Sequence, residues 1–296
     1  MMTQDLALAL DTPDKRPAAK ERGSKEFRIA SGMWTLPALI FLLAFFVFPL
    51  FANVLRSFPG DDPLQHYRTL FFDPYYLNVV WQTIKVSAIA TAACLMLGYP
   101  VAYFMVRFAG KWNSLFVFLL IAPLLTSIIM RTFGWTVLFS RKGLVNTVLV
   151  NVGLMDKPVN MVNTEIMVYV GLIHVLAPFM VLSITSVLQG VNQSLEESAQ
   201  ILGASKLRTF LTVTLPLSLD GIATGCILVF VLTNGSFLTM LLLGGGKVTT
   251  LSLLIFQQFT LTQNVGFAAA MGNVLLLFAL IGMAIQLRFL RRKGVR

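Results

Sequence analysis

Charge is scarce in this chain. Asp, Glu, Lys and Arg make up 12% of its 296 residues, about half the roughly 25% of an ordinary soluble domain, and that shortage excludes a soluble globular fold. Cysteine is nearly absent. Cys94 and Cys226 both lie inside apolar runs, so they read as small packing residues, and neither a disulfide framework nor a metal pair is expected. The two histidines, His66 and His174, stand alone, which leaves no cluster with metal-ligand spacing. No strong internal repeat appears, and this disfavours a symmetric transporter built from inverted halves. A carboxylate relay at mid-membrane, the usual equipment of a proton-driven carrier, is missing as well. The net charge of +10 does not signal nucleic acid, because the basic residues gather at the two ends and beside the apolar runs.

Apolar sequence is what the chain has in abundance. Hydrophobic residues account for 56%, with a mean hydropathy of +0.78. Residues 1–30 are polar and charged and read as a flexible tail, too poor in apolar surface to fold alone. Residues 31–296 form the membrane part. Its first apolar run, Trp34–Leu55, is long enough to cross a bilayer at about 20 residues per crossing. It is longer than a secretory signal core and has no A-x-A-like cleavage site, so it reads as a retained span. Five further spans follow at Asn78–Phe108, Leu115–Phe139, Glu165–Leu188, Pro216–Leu243 and Gly266–Leu287. Gly98-Tyr99-Pro100 should kink the second. Between the third and fourth, Leu144–Leu154 is weakly apolar and reads as an interfacial or folded external segment. The expected fold is an all-α polytopic membrane protein with six transmembrane helices.

Six crossings put both termini on one side, and basic residues identify it. With the termini fall Lys15, Arg16, Lys20, Arg22, Lys25, Arg28, Arg107, Lys111, Lys206, Arg208, Arg288, Arg291, Arg292, Lys293 and Arg296. The other side has Arg56, Arg68, Arg141, Lys142, Lys157 and Lys247. The excess places both termini, and the loop 190–215, in the cytoplasm.

That loop is the most informative polar stretch. Ser194-Leu195-Glu196-Glu197 has the S-x-x-E form of a capping box, predicting a helix start at Ser194. Leu195, Ala199 and Leu202 then share one face, with Glu196, Glu197 and Gln200 on others. Gly203 suits the left-handed residue that ends such a helix. Ser205 can cap a second short helix through Lys206, Leu207, Arg208 and Phe210, and Pro216 fits the first turn of the next span. The physics gives helix, sharp turn and helix on the membrane surface.

As a pattern, Glu197-Ser198-Ala199, Gly203 and Val213-x-Leu215-Pro216 resemble the EAA loop of ABC-importer permeases, with Ser198 for Ala and Val213 for Ile. Arg131-Thr132-Phe133-Gly134-Trp135, Gly143-Leu144-Val145-Asn146 and Leu242-Leu243-Gly244-Gly245 resemble stretches of spermidine/putrescine-type (type I) permeases. The resemblance implies a bacterial inner-membrane permease with no catalytic residues of its own. It also implies a homologous permease partner, identical or distinct, two ATPase subunits that bind the ATP, and an extracytoplasmic binding protein that delivers the solute. Glu196, Glu197, Ala199, Gly203, Ala204, Ser205, Leu215 and Pro216 would lie in the ATPase contact. The capping box accounts for Glu197 without any partner, and a helix resting on lipid headgroups would account for the leucines but not for the spacing to Pro216.

Other signals have competing readings. Gly244-Gly245-Gly246-Lys247 lacks the G-x4-G-K-[ST] spacing of a phosphate-binding loop, since position 241 is Leu and Val248 follows the lysine. It reads as an external turn. Lys85 and Arg131 fall within spans, where ionisable groups are costly. Lys85 can snorkel outward, and Arg131 either faces a cavity or pairs with Glu165. Asp220 lies near enough to the cytoplasmic surface to be solvated. His174 is either a hydrogen-bonded buried histidine or a path residue. Asn234, Ser236 and Thr239 form a polar stripe that, with Arg131 and His174, is the candidate lining of a translocation path. Gly221-x3-Gly225 permits close helix approach, within the chain or toward a partner. Two rival functions stay open. One is an ion-coupled secondary transporter. The other is an intramembrane serine protease using Ser236 and His174, although Ser236 lacks the expected following glycine.

Overall fold

The computed structural model describes residues 36–60 and 62–293, so the tail assigned to residues 1–30 lies outside the described residues. Every element within them is helical. The described residues from Leu36 to Asn53 fall in one unit, in which α1 (Leu36–Arg56) begins. It is an uncharged apolar helix up to Arg56, with a π turn at Leu43–Val47. Its 21 residues reach about 31 Å at 1.5 Å per residue, a bilayer's hydrocarbon thickness. Most of its apolar side chains are exposed, as expected of a helix solvated by lipid.

The second unit, Val54–Arg296, is a helical bundle. The short α2 (Gln65–Phe72) precedes α3 (Pro74–Arg107), whose start is capped by Asp73 accepting from the Tyr75 amide at 2.8 Å. Pro100 lies inside α3, which continues through it. Next come α4 (Asn113–Ile121), α5 (Ile128–Phe139) and α6 (Leu144–Asn151). The long α7 (Glu165–Gln189), the surface helix α8 (Gln193–Ile201) and the helical run α9 (Lys206–Asn234) follow. Then α10 (Phe237–Leu243), α11 (Leu251–Thr260) and α12 (Val265–Lys293) complete the bundle. Among the described residues there are five helices long and apolar enough to cross a membrane, and a sixth crossing where the bent pair Gly110–Leu125 and Ile128–Asn151 counts as one.

Helices α3, α7 and α9 form the centre. Ala90, Cys94, Met180, Ile184, Leu188 and Val229 belong to its fully buried core. Close approach of α9 to α7 depends on glycine. A Cβ on Gly221 would stand 2.9 Å from Ser183 O and 3.0 Å from Ile184 Cα, and one on Gly225 would stand 2.6 Å from Met180 Sδ. The small-x3-small pair thus serves packing within this chain. Polar bonds also tie separate helices together. Ser87 Oγ donates to Asn234 Oδ1 at 2.9 Å, Tyr99 and Ser218 hydroxyls meet at 2.9 Å, and the Leu251 amide donates to Thr83 Oγ1 at 2.8 Å. A second apolar cluster joins α2, α11, α12 and the start of α3 through Leu70, Val79, Leu254 and Met271.

Two expectations about the spans are corrected. The third is not one straight helix: its two arms meet at 95°, because Pro123 tightens the chain into a 3₁₀ turn and Thr126 and Ser127 are extended. The fifth does not run from Pro216 to Leu243. It starts at Lys206 and ends at Asn234, where Gly235 and Ser236 separate it from α10. Pro216 stands in the first turn of the α-helical part, Leu215–Asn234, as expected. It sits just after a π turn, Phe210–Thr214, in which the Leu215 amide donates to Phe210 O. That widened turn lets the helix pass a residue that has no amide hydrogen. Helices α2 and α11 have no counterpart among the expected spans, being too short to stand out in the sequence.

Candidate functional site

The elbow between α7 and α9 is built from local rules. Helix α7 ends at Gly190, and Asn192 starts α8, its Oδ1 accepting from the Ser194 amide at 3.0 Å. The predicted Ser194/Glu197 capping box is therefore replaced by an Asn192 cap, and Ser194 lies inside the helix. Asn is as good an N-cap as Ser, and its position two residues earlier starts the helix at Gln193. The end of α8 follows the expectation. Gly203 has φ +90°, its amide donates to Gln200 O at 2.9 Å, and the Ala204 amide donates to Ala199 O at 3.0 Å. These paired bonds satisfy carbonyls a helix end leaves open. Ser205 then caps α9, its Oγ accepting from the Arg208 amide at 3.4 Å.

The two glutamates of α8 part company. Glu197 is exposed, as are Ser198, Gly203, Ser205 and Pro216, while Ala199, Ala204 and Leu215 are half-buried. Glu196 is buried and turned toward the bundle. Its Oε1 accepts from Arg107 Nη2 at 2.7 Å and Nε at 3.2 Å, and from Thr214 Oγ1 at 3.0 Å. Arg107 also donates to Val191 O at 3.3 and 3.4 Å. So Glu196 belongs to the inner face of the elbow, and the expectation that set it beside Glu197 on an outward contact surface is corrected. Leu195 and Leu202 are exposed, Leu202 at 88% with Ile201 at 85%. Arg107, Thr214 and Asn192 are elbow residues that the sequence does not single out. Beside the pair lies a polar recess of about 200 Å³ bordered by Tyr103, Gln193, Gln200, Lys206 and Thr209.

The candidate path residues do not form one stripe. Arg131 folds back over the bent third span. Its Nη2 donates to Pro123 O and, at 2.8 Å, to Thr126 O, and its Nε donates to Thr126 Oγ1 at 3.3 Å. A cation there complements the carbonyls that end the first arm. The expected Arg131–Glu165 pairing is not made. Glu165 Oε1 instead accepts from Lys85 Nζ at 3.1 Å and from Tyr169 OH at 3.0 Å, so Lys85 forms an interhelical pair. His174 Nδ1 accepts from Trp135 Nε1 at 3.3 Å, the rings edge to face. Asn234 and Thr239 are buried and lie on different helices, and Ser236 Oγ donates to Leu232 O at 2.8 Å across the break. Ser236 and His174 are each bonded elsewhere and not to one another. Asn146, in a stretch quoted for the polyamine branch, is fully buried and bonds Ser140 O at 2.8 Å and Val159 O at 2.9 Å, pinning the segment after the bend. Gly245 (φ +53°) and Gly246 (φ +79°) confirm a turn at 244–247.

Residues 98–295 match the family described as binding-protein-dependent transport system inner membrane component. The chain is 37% identical over 220 residues to the spermidine/putrescine transport system permease protein PotB of Haemophilus influenzae, covering 74% of this chain and 77% of that protein. It is 38% identical over 202 residues to PotB of Escherichia coli K12, covering 68% and 74%. Its fold is similar to a chain of the crystal structure of a bacterial alginate ABC transporter in complex with an alginate pentasaccharide-bound periplasmic protein. The TM-score there is 0.74 at 21% identity, over 90% of this chain and 96% of that one. The chain is thus a transport subunit and not itself an enzyme, and neither the secondary-carrier nor the protease reading is favoured. It belongs to the binding-protein-dependent transport system inner membrane component family, the multi-pass inner-membrane permeases of ABC importers.

Proposed function

We propose that this permease carries a polyamine of the spermidine/putrescine class, or a related small organic solute, delivered by an extracytoplasmic binding protein. The observation that carries the cargo is the 37% and 38% identity to two PotB permeases over 74% and 68% of the chain. A homologous permease, identical or distinct, completes the path, and two ATPase subunits bind and hydrolyse ATP. Both termini and the α8 elbow face the cytoplasm, a reading supported by the excess of Lys and Arg on that side. There Glu197, Ala199, Gly203, Ala204 and Ser205 meet the ATPase, with Leu215 and Pro216 setting the angle at which α9 enters the membrane. The outward Ile201 and Leu202 give that contact an apolar centre, the feature that distinguishes a partner surface from a solvated one.

Arg131, His174, Asn234, Ser236 and Thr239 are kept as residues bordering the path. A cationic cargo is compatible with Lys85 and Arg131, since Lys85 is balanced by Glu165 and Arg131 is engaged with backbone carbonyls. The test is reconstitution with the ATPase and binding protein in proteoliposomes. ATP-dependent uptake of labelled putrescine or spermidine, and ATPase stimulation by the loaded binding protein, are expected. Uptake without any nucleotide-hydrolysing subunit, or labelling that places residues 190–215 outside the cell, would overturn the reading.

A further inference from the structure

The buried Arg107–Glu196 pair is the shortest ion pair among the described residues, and the family reading assigns it no role. Both side chains are 8% exposed. The bonds gather three separate pieces of chain on one carboxylate oxygen and one guanidinium. These are the end of α3 through Arg107, the α7–α8 linker through Val191 O, and the π turn of α9 through Thr214. Burying such a pair adds little stability by itself, because packed apolar side chains of similar size usually do as well or better. What a forked arginine on a carboxylate supplies is a fixed geometry.

Two neighbouring features give that geometry something to act on. The polar recess of about 200 Å³ leaves space between α8 and the spans. Thr214 stands at the end of a π turn, a place where a helix's hydrogen-bond register is already loosened. Displacing α8 would thus draw on the end of α3 and on the pliable turn of α9 at once. We infer that Arg107 is a positioning residue of the transport cycle: its fork on Glu196 transmits movement of the α8 elbow to α3 and, through Thr214, to α9. This rests on the reading that the elbow meets the ATPase.

The experiment uses the complete importer complex in proteoliposomes and measures labelled putrescine imported per ATP hydrolysed. Four variants are compared with wild type: Arg107→Met, the reversed pair Arg107→Glu/Glu196→Arg, the apolar pair Arg107→Met/Glu196→Leu, and Thr214→Val. The apolar pair is the decisive one, since it removes the charges without leaving one unpaired. It should assemble and hydrolyse ATP, yet import about tenfold less per ATP. The reversed pair restores the ion pair but supplies no donor to Val191 O, so it should recover only part of the loss seen in Arg107→Met. Thr214→Val, nearly isosteric and safe for folding, should assemble fully and lower the ratio by about threefold. A normal ratio in the apolar pair would reduce Arg107 to a structural tie. If that variant fails to assemble, Thr214→Val decides alone, and an unchanged ratio there overturns the inference. A wild-type complex without ATP-dependent uptake would instead sink the importer reading, before any variant is considered.

Discussion

Helix α3 carries two basic residues, Lys85 and Arg107, about 33 Å apart along its axis at 1.5 Å per residue, and each pairs with a glutamate of another element. The two pairs differ in kind. Arg107 forks onto Glu196 at 2.7 Å with both side chains 8% exposed, whereas Lys85 touches Glu165 at 3.1 Å with side chains 41% and 42% exposed. A guanidinium in a closed site fixes direction, while an ammonium on a flexible stem in an open one supplies charge and little else. Glu165 is the first residue of α7, and Glu196 lies on α8. Helix α3 is therefore tied rigidly to the elbow at one end and loosely to the start of α7 at the other. A lever needs that asymmetry, since its driven end must follow the handle while its other end stays free to part.

The comparison breaks most sharply at Arg107. Replacing it alone by Met leaves Glu196 buried and unpaired, which should destabilise the protein by about 3–5 kcal/mol. The measurement is thermal unfolding of the purified complex in detergent, and a loss under about 1 kcal/mol, the range of an exposed pair, would mean that the site is wetter than its exposure indicates. Next comes Gly221, which sets how close α9 lies to α7 beside the elbow. A Cβ at this position would meet Ser183 O at 2.9 Å, so Gly221→Leu must push backbone, costing about 1–3 kcal/mol. If it were harmless, stiffness at this end would come from the ion pair and not from helix contact. Gly203 follows. Its surroundings are open, so only its φ of +90° resists substitution, and Gly203→Val should cost about 1–2 kcal/mol. If the elbow meets the ATPase as proposed, transport should suffer more than stability does, because Gly203 lies on the exposed side of the elbow. Equal losses in both would argue against that contact.

Legibility followed the range of the forces. The left-handed Gly203, the Ser205 cap and the turn at 244–247 are set by residues within a few positions of one another, and the sequence announces them. So are the spans, because about 20 apolar residues admit few alternatives in a bilayer. The Arg107–Glu196 pair joins residues 89 apart, and nothing in the sequence brings them together. Arg107 was legible only as one cation among many on its side. A signal existed nonetheless: Glu196, Ala199 and Gly203 recur at helical spacing, as the leucines do, so spacing alone left two candidate inner faces for α8. The leucines are exposed, and under the proposed function they supply the apolar part of the ATPase contact. The break at Thr126–Ser127 was hidden by an unbroken apolar run, and Arg131 looked like an intramembrane charge seeking a counter-ion when its partners are main-chain carbonyls.

The smallest effect, and the cleanest check on the asymmetry, belongs to Lys85. An ion pair exposed to this degree contributes about 0–1 kcal/mol, and Tyr169 would keep its hydrogen bond to Glu165 after Lys85→Met. The variant should therefore unfold within about 1 kcal/mol of wild type at low salt. Because screening reaches exposed pairs first, even that difference should vanish near roughly 1 M salt, where the Debye length is about 3 Å. The Arg107→Met deficit should persist under the same conditions, since its cost is desolvation of Glu196 and not a long-range attraction. Parallel salt titrations of the two variants thus separate the ends of α3. Should both deficits fade together, the elbow pair would be as open as the Lys85 pair, and a rigid handle at one end of the lever could not be maintained.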